Sequence, residues 1–199
     1  MGNSKVKVVF IGNSTVGKTA LFHRFQGSTE LGETVPTVGG ACANVSVTVK
    51  DNSEVNLMVW DTAGQETYRG IVPMYFSRAS FILIVYDITQ RSSFESIKEW
   101  INLSREQAPP TARIGIIGNK CDLEKNRKVT LAEGQDLADA EEAVLFFETS
   151  ALKGQCIDEL LVTVAELAHR DEIRAAETVT ETKIVEIGVK PEKNKKCCS

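Results

Sequence analysis

The sequence predicts a three-layer α/β fold: a six-stranded, mostly parallel sheet with one antiparallel strand, covered by helices on both faces. Three observations carry that expectation. Strand and helix patterns alternate in the order β-α-β-β-α-β-α-β-α-β-α, and such alternation winds a parallel sheet between two helical layers. The run Phe81 to Tyr86, FILIVY, is apolar throughout, as a strand buried on both faces must be. Finally, Gly12 to Thr19 reads G-x-x-x-x-G-K-T between a strand pattern and a helix pattern, the setting in which a glycine-rich turn cradles phosphate.

Composition narrows the function. With 42% hydrophobic and 25% charged residues in 199, the chain has ordinary globular make-up and a length suited to one domain with a tail. A net charge of −4 and a pI near 5.4 argue against a nucleic-acid partner. No apolar run approaches the roughly 18 residues of a membrane span, and no secretory leader pattern opens the chain. The five cysteines, Cys42, Cys121, Cys156, Cys197 and Cys198, lack C-x-x-C spacing, which argues against zinc and fits a reducing, cytosolic setting. Cys42, Cys121 and Cys156 read as structural.

Taken in order, Val6, Val8, Val9, Phe10 and Ile11 make a short buried strand. A polyphosphate needs inward N–H groups and a close backbone, which glycines permit, and the helix opening near Gly17 adds its positive dipole end. Lys18 is placed for the β/γ-phosphates and the Thr19 hydroxyl for Mg²⁺. The helix runs from Lys18 to about Gln26, and Leu31 to Gly40 is a loop without periodicity that contains Thr37. Val45, Val47 and Val49 alternate with polar residues, turn at Asp51-Asn52-Ser53 and return as Val55 to Trp60, a hairpin.

That return strand leads into Asp61-Thr62-Ala63-Gly64-Gln65. Ligands of open α/β sheets sit at strand carboxyl ends, so Asp61 is expected to hold the metal through water beside Thr19, and Gly64 to offer its N–H to a terminal phosphate. After Phe81 to Tyr86, a helix is expected over Ser92 to Gln107 with Phe94, Ile97, Ile101 and Leu103 inward, stopped by Pro109-Pro110. Ile114, Ile116 and Ile117 form the next strand. Thr130 with Glu133 reads as a capping box, Val144 to Phe147 as the last strand, and Ile157 to about Arg170 as the closing helix, with a continuation to Glu177 conceivable from composition. Residues 1–170 are thus the domain. Residues 171–199 read as a flexible polar tether with lysines between Lys190 and Lys196.

Asn119-Lys120-Cys121-Asp122 follows the fifth strand. A carboxylate at Asp122 can accept from both the amine and the ring N–H of guanine, whereas adenine leaves it unpaired, and such sites discriminate by ~10⁴–10⁵. Asn119 would brace the loop, the Lys120 stem would cover the base face, and Ser150-Ala151 would present an N–H to the guanine oxygen.

GNSTVGKT, the threonine of PTVG, WDTAGQE, NKCD and ETSA, in this order, resemble the Ras superfamily of small GTPases over about Lys5 to Arg170. WDTAGQE together with the ending CCS is most similar to the Rab family. The resemblance implies the P-loop NTPase fold, GTP and GDP as ligands and Mg²⁺ as cofactor. It places Gly12, Ser14, Thr15, Val16, Gly17, Lys18, Thr19, Ala20, Thr37, Gly64, Asn119, Lys120, Asp122, Ser150, Ala151 and Leu152 around the nucleotide, with Thr19, Thr37 and Asp61 toward the metal. It makes Thr37 the switch I threonine and Gln65 the catalytic residue that positions the attacking water, within a switch II of Asp61 to about Ser77. No arginine stands in cis for catalysis, so hydrolysis is expected to be slow until a partner supplies one, a gain of ~10³–10⁵.

Partners implied by the resemblance are effectors, an exchange factor and a GAP at the switches, prenylation machinery, and a GDP-dissociation inhibitor. It implies a monomer on the cytosolic face of an intracellular membrane, cycling with cytosol, with Cys197 and Cys198 geranylgeranylated. Two lipid chains anchor stably where one does not, and the nearby lysines favour anionic lipid. The chain also departs from the pattern. Glu30 and Thr34 stand where the family has aromatics, and Cys42 replaces the phenylalanine of an effector-contacting triad whose other members, Trp60 and Tyr75, remain. A looser switch I and faster nucleotide release follow. Two alternatives stay open: a nucleotide-binding scaffold that does not cycle, and a Ras-superfamily GTPase outside the Rabs. A small P-loop kinase or ATPase is disfavoured by N-K-x-D.

Overall fold

Alternate residues of the first strand serve opposite sides of the sheet, which explains its apolar run from Val8 to Ile11. Val8 and Phe10 join one core with Leu21, Phe25, Leu57 and Leu160, while Val9 and Ile11 join another with Ile82, Ile84, Trp100 and Ile116. The computed structural model of the chain describes residues 5–28, 40–62 and 72–187, with the backbone alone for 72–73 and 175–187. Along it lie β1 (Val6–Ile11), α1 (Lys18–Phe25), β2 (Gly40–Thr48), β3 (Glu54–Thr62), α2 (Val72–Phe76) and β4 (Phe81–Asp87). Then come α3 (Arg91–Glu95), α4 (Ile97–Gln107), β5 (Arg113–Asn119), a 3₁₀ helix (Cys121–Asn126), α5 (Leu131–Ala140), β6 (Leu145–Thr149) and α6 (Ile157–Ile187).

The six strands form one sheet in the order β2-β3-β1-β4-β5-β6. β1 pairs in parallel with β3 and β4, β4 with β5, and β5 with β6, whereas β2 runs antiparallel to β3. All seven residues of β4 are buried, with Phe81, Leu83 and Val85 in one core and Ile82, Ile84 and Tyr86 in the other. This is the three-layer α/β architecture with one antiparallel strand. The hairpin turns where expected, with Asn52 at φ 66° and the Ser53 N–H donating to Asp51 Oδ1 at 2.9 Å. The capping box at Thr130 and Glu133 is also present.

Four expectations need correction. The helix expected over Ser92 to Gln107 is divided into α3 and α4 around Ser96; Trp100 and Ser104 are buried there, while Phe94 and Leu103 are only partly so. Trp100 replaces Leu103 as the inward residue because Ile97, Trp100, Ile101 and Ser104 share one face at i, i+3, i+4 and i+7, and Leu103 lies off it. The expected loop ends one residue early, since Gly40 already pairs with Thr62. Cys42 and Cys156 are exposed and Cys121 is half-buried, so these thiols are not core residues; Cys42 stands on an edge strand, open to solvent. Lastly, α6 continues past Arg170 and Glu177 to Ile187. Gly188 is the first glycine or proline after Gly154, so nothing in the intervening sequence breaks the helix. Residues 188–199, with Cys197 and Cys198, lie outside the described residues.

Candidate functional site

Five neighbouring strands end at one rim, and the loops leaving them carry the polar residues of interest. After β1 the chain turns at Gly12, φ 137°, where an added Cβ would lie 2.2 Å from the Val85 carbonyl oxygen. It reaches Gly17 at φ 99°, where a Cβ would lie 2.2 Å from Asn119 Nδ2. Both glycines are thus demanded by conformation and by space. Between them Val16 is fully buried and anchors the loop. The Asn13 side chain accepts from Trp100 Nε1 at 2.8 Å and donates to Ser96 Oγ at 3.1 Å, tying the loop to the α3–α4 junction.

Lys18, only 5% exposed, curls back over this loop. Its ammonium donates to the carbonyls of Gly12 at 2.9 Å and Asn13 at 2.7 Å. Burial lowers its pKa to about 8, and the nearby Asp61 charge partly opposes that shift. Thr19 Oγ1 donates to Asp61 Oδ2 at 2.7 Å, and Asp61 is fully buried at the end of β3. Next to it Thr62 Oγ1 donates to the Phe10 carbonyl at 2.7 Å, locking β3 against β1 just below the loop.

A hydroxyl and a carboxylate meeting at 2.7 Å are a hard, all-oxygen pair. Among the described residues, no group of three or more His, Cys, Asp or Glu could hold a metal. This donor set fits Mg²⁺, which takes one or two protein oxygens and completes its shell with phosphate and water. It does not suit an ion that needs a full protein cage.

On the far side of the rim, Asn119 is 1% exposed and uses both ends of its amide. Its Nδ2 donates to the Val16 carbonyl at 2.9 Å, and its Oδ1 accepts from the Ala151 N–H at 3.1 Å and from Thr149 Oγ1 at 3.3 Å. Lys120 follows in the left-handed conformation, φ 68°. Asp122 accepts from Ser150 Oγ, which itself accepts from the Lys153 N–H at 3.0 Å. The structure therefore brings together Gly12 to Ala20, Asp61, Asn119, Lys120, Asp122 and Ser150 to Leu152. Thr37, Gly64 and Gln65, with Glu30 and Thr34, lie outside the described residues.

Three supporting residues escape the sequence motifs. Arg24 donates from Nε to the Ala151 carbonyl at 2.6 Å and from Nη2 to that of Leu152 at 2.7 Å, fixing the last of these loops to α1. Arg127 grips Glu148 with two bonds of 2.6 and 2.7 Å while also holding Glu124. Asp87, 4% exposed, pairs with Lys120 at 2.7 Å. Only Asp87 had a local signal: a carboxylate ending a wholly apolar strand has no reason to be there unless something binds it. Away from the rim, Trp60 and Tyr75 rings lie 5.8 Å apart, and Cys42 stands opposite Trp60 in the β2–β3 register.

Comparison with known proteins agrees with this geometry. The family model described as Ras family matches residues 7–170. The chain is 38% identical over 159 residues to the GTP-binding protein ypt5 of Schizosaccharomyces pombe, covering 80% of this chain and 75% of that protein. It is 36% identical over 197 residues to the Ras-related protein Rab-17 of Mus musculus, covering 97% and 90%. To mouse Rab-22A it is 36% identical over 166 residues, covering 83% and 84%. With a phosphate-type loop, an oxygen pair beside it and an N-K-x-D loop on one rim, and relatives aligned along nearly its whole length, the chain belongs to the Ras family and is a small GTPase of Rab type.

Proposed function

We propose that the chain binds GTP and GDP with Mg²⁺ and switches between two nucleotide states in vesicle-mediated membrane and protein transport. It works from the cytosolic face of an intracellular membrane, anchored by geranylgeranyl groups on Cys197 and Cys198. The phosphates lie in the loop from Gly12 to Ala20, where the Lys18 ammonium exchanges the carbonyls of Gly12 and Asn13 for β- and γ-phosphate oxygens. Thr19, Asp61 and Thr37 would hold the metal, which when bound would neutralise charge on those oxygens. Gln65 orients the attacking water. Lys18 absorbs charge that develops on the transferring group, and a partner's arginine completes the site.

Asp122 accepts from the guanine edge and the Lys120 stem covers the ring face, while the Ala151 N–H, held by Asn119 Oδ1 at 3.1 Å, keeps the Ser150–Leu152 turn beside the guanine oxygen. The γ-phosphate holds Thr37 and Gly64, so the surface offered to effectors changes on hydrolysis. An exchange factor, a GAP, prenylation machinery and a GDP-dissociation inhibitor act on this cycle. The observation that carries the reading is Asn119, whose one amide bonds both the Val16 carbonyl and the Ala151 N–H. A phosphate loop and a base loop joined so directly suit a ligand that has both parts.

The decisive experiment is to denature the purified protein and identify what it releases. Stoichiometric GDP or GTP, with ATP failing to displace it, is the expected result; no nucleotide, or equal uptake of ATP, overturns the reading. Single-turnover hydrolysis by Gln65→Leu distinguishes the switch from a scaffold, because only a switch loses rate. Cys197→Ser with Cys198→Ser should move the protein from membrane to cytosol.

A further inference from the structure

Lys120 has a long, entropically costly side chain on a backbone already held left-handed, at φ 68° and ψ 35°. Left to itself such a chain samples many rotamers. Here it does not, because its ammonium meets Asp87 Oδ2 at 2.7 Å, with the Asp87 side chain 6% exposed and that of Lys120 32% exposed. The carboxylate cannot swing away. Its other oxygen accepts from the Thr89 N–H at 2.8 Å and from Thr89 Oγ1 at 2.7 Å.

The backbone around Asp87 is equally fixed. Its N–H donates to Ser93 Oγ at 3.0 Å, its partner across the sheet is Asn119, and the next N–H, that of Ile88, donates to the Asn119 carbonyl at 3.1 Å. These bonds hold the Asp87 backbone and Oδ1 in place and leave Oδ2 facing Lys120. A largely buried carboxylate is costly to maintain, and the strand end would pack without it.

We infer that Asp87 is a positioning residue that holds the aliphatic stem of Lys120 as a preformed wall for the face of a purine ring. This rests on the guanine-nucleotide reading above. Pinning the stem beforehand removes the ordering cost from the binding step, so the effect belongs in the lifetime of the complex rather than in the encounter rate. The wall touches the ring face and Asp122 its edge. The two residues therefore contribute differently to base choice: Asp87 to retention of any purine, Asp122 to guanine alone.

Asp87→Asn tests this cleanly, since the amide oxygen can still accept from Thr89 while the charge facing Lys120 is gone. In stopped flow, release of fluorescent GDP should quicken about ten-fold, the coupling expected of contacting residues. Release of the inosine analogue, which lacks the 2-amino group, should quicken by the same factor, and association rates should not change. In a Lys120→Ala background the Asp87→Asn effect should vanish. Equal release from wild type and Asp87→Asn, or full additivity with Lys120→Ala, overturns the assignment while leaving nucleotide binding intact. A wild-type protein that fails to bind GDP at all would instead refute the underlying reading.

Discussion

The amide of Asn119 donates to the carbonyl of Val16 at 2.9 Å across 103 residues of sequence. The same side chain receives the Ala151 N–H at 3.1 Å, so two loops from opposite ends of the chain share one buried group. Asn119→Ala would strand a buried carbonyl and a buried N–H together. Each unsatisfied group costs about 1–3 kcal/mol, so a loss of roughly 2–4 kcal/mol in urea unfolding is expected, with weakened retention of nucleotide. A change in stability below about 1 kcal/mol would show that water replaces the amide.

Lys18 gives a pH signature. Its folded pKa, near 8 against an ordinary 10.5, lies below the unfolded value, so the unfolded chain binds more protons between the two. In nucleotide-free protein, stability should rise as pH climbs from about 8 toward 10.5, with the full burial penalty felt below that window. Lys18→Met should flatten this slope. Phosphate oxygens favour the ammonium and should draw the pKa back up. Nucleotide binding near pH 9 should therefore take up a proton, read by calorimetry in two buffers of different ionisation enthalpy.

Tyr86 is fully exposed to neither solvent nor partner: it is buried, and its hydroxyl has no hydrogen-bond partner among the described residues. Two glycines make room for it, since a Cβ at Gly118 would lie 2.7 Å and one at Gly134 2.6 Å from the hydroxyl. Tyr86→Phe should raise stability by about 1 kcal/mol, because an unpaired buried hydroxyl is lost with little change of shape. Gly134→Ala, ordinarily favourable in a helix, should destabilise. Its Cβ would also lie 2.5 Å from the Phe146 ring, so Tyr86→Phe should relieve only part of that cost. Urea midpoints of the two single variants and the double variant decide this.

Restoring aromatics in switch I should slow nucleotide loss. The family resemblance aligns Glu30 with an aromatic stacked on guanine and Thr34 with one closing over the phosphates. On that reading Glu30→Phe adds a base stack worth about 1–3 kcal/mol and Thr34→Phe a cover over the phosphates. GDP release from the double variant should slow by ten-fold or more relative to wild type. An unchanged rate would show that the two positions do not set the lifetime.

Much of this architecture was legible in the sequence, because the informative signals are local. FILIVY could be read as a central strand from its own composition, and G-x-x-x-x-G-K-T and N-K-x-D state their chemistry within eight and four residues. What escaped depends on distance. Nothing near Arg24 says that it will reach Ala151, 127 positions away, and nothing near Asn13 points to Trp100. The division of the third helical segment escaped because Ser96 is an ordinary helix residue that itself keeps right-handed helical angles, φ −73° and ψ −11°. The continuation of α6 escaped for the opposite reason. Apolar periodicity fades after Arg170, so the sequence does not mark where the helix stops, and Asp171 just beyond it pairs with Arg113.

Arg24 gives α1 a second duty. The helix is eight residues long, a rod of about 12 Å, and its front end grows directly out of the phosphate-type loop. Arg24 near its rear hooks the Ala151 and Leu152 carbonyls. Force applied at the front is therefore felt at the back, as with a lever whose two ends are bolted to different doors. The phosphate-type loop and the Ala151–Leu152 turn are thus braced by one short helix, so a shift of either end of α1 is carried to the other.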